Sequence, residues 1–101
     1  MNGQATISDE IVARYAADAA TEVDGVRGLV ESRLHRHRGV RATRSEEEHA
    51  AIEVHVELAW GAPIRETGRT VQRRVADYLE QMTGARPSTV SVIVDAVGPP
   101  E

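Results

Sequence analysis

Residues 50–60 read AAIEVHVELAW, and in this stretch apolar and polar side chains alternate along the chain. A period of two is typical of a β-strand that packs one face on a core and exposes the other face to water. Glu53, His55 and Glu57 fall on the second face, where we expect a solvated polar row. The apolar positions are Ile52, Val54, Val56, Leu58 and Trp60.

The segment after this strand has the spacing of an amphipathic helix. Pro63 suits a first helical turn, and Gly84 suits the position just past a helix end. Gly68 lies on the apolar stripe, where we expect it to allow a closer approach of the helix to the sheet. The stripe consists of Ile64, Gly68, Val71, Val75, Leu79 and Met82.

Alternation returns in the last segment, which predicts a further strand with Val90, Val92, Val94 and Ala96 on one face. A strand–helix–strand connection of this length is typical of two parallel strands joined by a crossover helix. We therefore expect the last strand to lie parallel to the strand at 50–60.

The N-terminal third predicts one helix and two shorter strands. Ser8 suits the N-cap of a helix that we expect to end at Asp24-Gly25. Residues 26–34 fit both a strand and a helical turn, and we favour a short strand at 26–31. A second strand is expected at 39–44, joined to the strand at 50–60 by a five-residue hairpin loop.

Together these elements predict an α+β fold in two layers, in the order α-β-β-β-α-β. Both helices are expected on one face of a small mixed β-sheet. The 101 residues fit a single domain, 1–101, and we expect residues 1–6 and 98–101 to be frayed.

The composition favours a light core and excludes several chemistries. The chain is 41% hydrophobic and 28% charged, but it has no Phe and only three aromatic residues, Tyr15, Trp60 and Tyr78. A core built from Val, Ile, Leu and Ala makes burial of further apolar surface against another protein attractive. Cys and Lys are absent, which excludes disulfides, a cysteine nucleophile, Schiff-base chemistry and a P-loop lysine.

No segment has the character of a signal peptide, and no apolar run approaches the roughly 18–20 residues that cross a bilayer. We therefore expect no direct membrane insertion. Any membrane association is expected to occur through a partner.

The four histidines are the candidate nitrogen ligands for a metal, but their surroundings favour surface histidines. Arg36 and Arg38 would place positive charge beside a cation held by His35 and His37. No serine lies in a G-x-S-x-G elbow, and no acid–His–Ser set has suitable spacing. We therefore predict that the protein is not an enzyme and has no metal or cofactor. The remaining histidines are His49 and His55.

A basic segment from Arg33 to Arg44 leaves one alternative open. Basic patches attract phosphate groups, whether of nucleic acid or of anionic lipid headgroups. Gly25-Val26-Arg27-Gly28 also matches the G-x-x-G of KH nucleic-acid modules. The net charge of −4 and the acids at 46–48 favour a solvated charged loop instead. The G-x-x-G follows the first predicted helix directly and lacks the flanking strand order of a KH module, which favours a two-glycine turn. A small nucleic-acid-binding module remains the alternative to an interaction protein, with nucleic acid the less favoured partner.

Three phrases in order resemble the alkaline shock protein family of envelope stress response proteins in Gram-positive bacteria. The first runs from Ile7-Ser8-Asp9-Glu10 to Val23-Asp24-Gly25-Val26, and the second is Trp60-Gly61-Ala62-Pro63-Ile64. The third runs from Val71-Gln72 through Met82-Thr83-Gly84 to Val90-Ser91-Val92. The resemblance covers residues 7–97, with Trp60 where the family usually has Tyr.

This resemblance implies a non-enzymatic cytoplasmic protein of envelope homeostasis that self-associates and docks on a membrane-anchored protein. Such docking would place it near the membrane, and no cofactor or catalytic residue comes with the family. For self-association we expect the sheet face without helices, or an edge of the sheet, to carry the contact. The candidate interaction residues are Ala59, Ile93 and Val97, which the alternation places together on the face without helices. Arg36, Arg38 and Arg41 in the basic segment are further candidates.

Overall fold

The chain folds into two helices and a four-stranded mixed sheet in a computed structural model that describes residues 7–31, 39–44 and 50–100. The predicted α-β-β-β-α-β order and α+β class are confirmed. The elements are α1 (Asp9–Thr21), β1 (Val26–Leu29), β2 (Val40–Arg44), β3 (Ala50–Leu58), α2 (Ile64–Thr83) and β4 (Thr89–Val97).

Strand β3 is the centre of the sheet. Strand β4 runs parallel to it from the pair Ala51–Thr89 to the pair Leu58–Val97, as the crossover helix predicts. Strand β2 pairs antiparallel with residues 50–54 of β3, and β1 pairs antiparallel with residues 56–58. Because β4 already lies along one edge of β3, β1 and β2 follow one another along the other edge.

The junction of β1 and β2 lies beside His55. The His55 N–H donates to the Gly39 carbonyl, and the His55 carbonyl accepts from the Val30 N–H, both at 2.9 Å. Gly39 has a φ of 87°, and a Cβ added there would lie 2.6 Å from the Val30 carbonyl oxygen. Only glycine fits this close approach of two backbone segments.

Helix α1 begins as predicted but ends earlier. The Ser8 side chain accepts a hydrogen bond from the Ile11 N–H, which confirms Ser8 as the N-cap. The expected end at Asp24-Gly25 is wrong, since the helix stops at Thr21. Tight-turn hydrogen bonds follow, and Gly25, with a φ of 94°, is used in this turn.

The core lies between the two helices and one face of the sheet. The even-numbered residues of β3 from Ile52 to Leu58 are almost completely buried, as the alternation predicts. They meet an alanine-rich face of α1 and the middle of the α2 stripe. The largest fully buried side chains are Val40, Ile52, Val54, Val56, Leu58, Val71, Val75 and Leu79.

The α2 stripe is longer than the core that it covers. Ile64 at one end is 53% exposed and Met82 at the other is 43% exposed. The expected close approach at Gly68 is wrong, because a Cβ added there would have no neighbouring atom within 4 Å. The adjacent Thr67 is the buried residue of this turn.

Gly68→Ala should therefore stabilise the protein. Gly costs about 0.5–1 kcal/mol relative to Ala inside a helix, and the open space around Gly68 leaves that gain uncancelled. Thermal and urea denaturation should show a rise of this size in the free energy of unfolding. Gly61→Ala is the control: it also has open space, but its φ of 85° makes the same substitution unfavourable.

The C-terminus of α2 is closed by local contacts. Gly84 has a φ of 80° and donates its N–H to the Glu80 carbonyl, as expected for a glycine after a helix. Arg86 Nη1 then donates to Asp77 Oδ1 at 2.9 Å. This hydrogen bond raises the pKa of Arg86.

Two chain connections bear on the sequence expectations. The pair Arg44–Ala50 confirms the predicted hairpin with a five-residue connection. Gly98 is buried and donates its N–H to the Leu58 carbonyl at 2.8 Å, so the chain is held against β3 at the position where fraying was expected to begin.

Candidate interaction surface

The outer edge of β4 is the longest unpaired strand edge among the described residues. Strand β4 has nine residues, and β3 is its one strand partner in the described sheet. Five of its residues are Val or Ile, and Asp95 is its single charged residue. Long apolar edges of this kind pair readily with another chain.

The peptide groups of β4 alternate between β3 and this edge. The Val90 carbonyl accepts a hydrogen bond from Gln72 Nε2 at 3.1 Å, so it points away from β3. Since peptide directions alternate along a strand, Val92 and Val94 also point outward. Ser91 and Ile93 then direct their peptide groups to β3.

The sheet face opposite the helices is polar along β3 and carries Ile93 beside it. Ile93 is half-buried and lies opposite His55 in the parallel register. Arg27 Nε lies 3.3 Å from Glu57 Oε2 across the β1–β3 pair. We call this surface the open face.

His55 is the buried polar group of the open face. It is only 7% exposed, so the expectation of a solvated row is wrong at this residue. Its Nδ1 lies 2.6 Å from Asp95 Oδ2, and its Nε2 lies 3.5 Å from Glu53 Oε2. Asp95 and Glu53 are partly exposed, so the imidazole lies between two carboxylates that reach it from the solvent side.

Asp95 reaches His55 at an irregularity in β4. Val94 is opposite Val56 but Ala96 is opposite Glu57, so β4 has one extra residue at this point. An extra residue changes the face on which the following side chains lie. Val97 is consequently opposite Leu58, on the helix-covered side of the sheet, and the prediction that it shares a face with Ile93 is wrong.

The other predicted interaction residues are spread over the surface. Ala59 is half-buried and donates its N–H to the Gly25 carbonyl at 2.7 Å, which ties the end of β3 to the turn after α1. Arg41 is exposed and pairs opposite Glu53. It lines a shallow hollow of about 210 Å³ together with Thr43, Thr89 and Ser91, among others.

Several residues of the predicted basic and histidine clusters lie outside the described residues. Arg41 is therefore the member of that segment whose side chain is placed on the fold. The residues outside are Arg33, Arg36, Arg38, His35, His37 and His49.

The described ranges contain no group of three or more His, Cys, Asp or Glu residues that could hold a metal ion. Neither α1 nor α2 is long and apolar enough to span a membrane.

Two features of the surface were not anticipated. The His55–Asp95 pair joins residues forty positions apart, and its only sequence signal is a lone acid in an otherwise uncharged strand. Trp60, on the apolar phase of the predicted strand, is 63% exposed because β3 ends at Leu58. The Gly61 that follows, with its φ of 85°, signals this turn.

Comparisons with known proteins agree with this architecture. A family model of the alkaline shock protein family, described as having a cell envelope-related function, matches residues 1–99. No curated protein matches the chain.

Solved structures of the MamM CTD have a similar fold. A methionine-to-leucine variant matches with a TM-score of 0.58 at 17% identity, covering 86% of this chain and 95% of that chain. A histidine-to-alanine variant matches with a TM-score of 0.58 at 18% identity, covering 88% and 98%. At these identities the likeness describes the fold alone.

Proposed function

Since the chain belongs to the alkaline shock protein family, which has a cell envelope-related function, we propose that it is a non-enzymatic protein of the envelope stress response. It self-associates and docks on a membrane-anchored protein from the cytoplasmic side. Its role is to assemble proteins at the envelope rather than to transform a substrate.

The observation that carries this proposal is the β4 edge beside the open face. With respect to the described strands, the edge offers unpaired peptide groups at Val92 and Val94, and Ile93 provides an apolar contact on the open face next to it. Burial of this surface against a second copy supplements a core that lacks Phe. Arg41, with the sequence neighbours Arg36 and Arg38, is the candidate for contacts with acidic groups of a partner.

Self-association should be visible by sedimentation equilibrium across micromolar concentrations. Ile93→Glu places a carboxylate on the open face next to the edge, and we expect it to shift the protein to monomer. Gln81→Glu adds the same charge on the exposed side of α2, away from the sheet, and should associate like wild type. A wild type that stays monomeric at every concentration would remove self-association from the proposal.

Docking through a protein predicts a difference between two kinds of membrane. The protein should co-sediment with native host membranes but not with vesicles made from their extracted lipids. Protease treatment of the membranes should abolish the binding. Equal binding to the lipid vesicles would show headgroup binding and contradict docking through a protein.

A further inference from the structure

The position of Gln72 limits which part of the β4 edge can accept another strand. Its side chain already donates a hydrogen bond to the Val90 carbonyl. The extra residue of β4 interrupts the regular alternation of peptide groups along the edge after Val94. The outward peptide groups between these two points are those of Val92 and Val94. A partner strand therefore has two adjacent docking positions, with Ile93 between them.

The single charge of β4 is turned away from this segment of edge. Natural edge strands are commonly protected from pairing by charged side chains or proline. The Asp95 carboxylate instead reaches back over β3 to His55, at 2.6 Å. No other charged residue and no proline occurs between Thr89 and Val97. The edge is thus left unprotected as long as His55 holds Asp95.

We propose that β4 pairs antiparallel with β4 of a second copy, about a two-fold axis at Ile93, and that His55 is the positioning residue that permits it. This inference rests on the proposed self-association. In this register Val92 exchanges hydrogen bonds with Val94 of the second copy, and Val94 with its Val92. These are the outward groups that Gln72 and the irregularity leave available, which selects this register over its neighbours.

The side chains are self-complementary in the same register. Ile93 meets its own copy at the axis, where a non-hydrogen-bonded pair brings side chains closest. Two positions from the axis, Ser91 of each copy faces Asp95 of the other. Because His55 holds the Asp95 carboxylate over β3, the carboxylate leaves room for the Ser91 side chain of the second copy. The arrangement is isologous, so each contact away from the axis occurs twice.

The role of His55 follows from this geometry. Without the imidazole, each Asp95 would bring to the interface a carboxylate that has lost its hydrogen-bond donor, and the two-fold axis would place two of them there. A carboxylate without a donor at an interface opposes association. The His55–Asp95 pair therefore determines whether Asp95 supports the dimer or protects the edge.

Four proteins test the inference by sedimentation equilibrium, with circular dichroism to check folding. His55→Ala should weaken dimerisation about tenfold or more, whereas Asp95→Asn should stay within about threefold of wild type. The double variant His55→Ala/Asp95→Asn should recover most of the lost affinity. A purely structural role of His55 predicts no such recovery.

Ser91→Asp provides a test that leaves the interior untouched, because Ser91 is exposed. It places an acid opposite Asp95 of the second copy and should weaken dimerisation about tenfold, whereas Gln81→Asp on the exposed side of α2 should not. If the wild type is monomeric, both self-association and this inference fail. If it associates but His55→Ala and Ser91→Asp bind like wild type, the proposed function stands and this inference is overturned.

Discussion

Gly39→Ala should lower the free energy of unfolding by about 2–4 kcal/mol, because it combines backbone strain with a steric clash. The φ of 87° disfavours any residue with a Cβ, and that Cβ would lie 2.6 Å from the Val30 carbonyl oxygen. Relief of the clash requires movement of the two backbone segments that hydrogen-bond to His55.

Gly61→Ala is the matched comparison for this substitution in urea denaturation. Its φ of 85° is almost the same, but no atom lies within 4 Å of the added Cβ. We expect it to cost about 1 kcal/mol, the strain alone. Equal losses for the two variants would mean that β1 and β2 do not approach one another at Gly39 as described.

Leu79→Ala should destabilise the protein by about 2–5 kcal/mol, the range found when a fully buried leucine is truncated. Leu79 is 2% exposed and packs in the cluster formed by α1, α2 and β3. Its loss would leave a cavity in a core that has no Phe to fill it.

Met82→Ala, three residues further along the same helix, removes a side chain of similar size that is 43% exposed. We expect the free energy of unfolding to fall by less than about 1 kcal/mol, because folding buries only part of the Met82 side chain. Chemical denaturation of both variants separates the buried part of the α2 stripe from its exposed end. A larger loss for Met82→Ala would show that the core extends past Leu79.

The strands and helices could be predicted from the sequence wherever the spacing of apolar residues reflects the burial of one face. The alternation from Ala50 to Leu58 and the three- and four-residue spacing from Val71 to Leu79 are both direct consequences of packing one face on the core. The parallel order of β3 and β4 followed from the length of the connection. Family membership was predicted from three phrases and is confirmed over residues 1–99.

Periodicity failed where burial depends on residues distant in sequence. The spacing of α2 cannot tell where the sheet beneath it ends, so Ile64, Gly68 and Met82 were placed against the core. The extra residue in β4 moves Val97 to the opposite face of the sheet. The alternation of apolar and polar residues does not reveal such an extra residue.

His55 shows the same limit at the candidate surface. The residues two positions before and after it, Glu53 and Glu57, are acids, which predicts a solvated position. His55 is buried because β4 pairs with β3, which brings Asp95 Oδ2 within 2.6 Å of His55 Nδ1 at the irregularity. Only the pairing of β3 with β4 reveals that the charge of the edge strand is held inward.

Amide hydrogen exchange at rising protein concentration will reveal whether the β4 edge carries self-association. The Val92 and Val94 amides point outward and should gain protection as the concentration rises. The Ser91 and Ile93 amides point to β3 and should be protected at every concentration, which provides an internal control. Association without added protection at Val92 and Val94 would place the interface elsewhere and contradict the account.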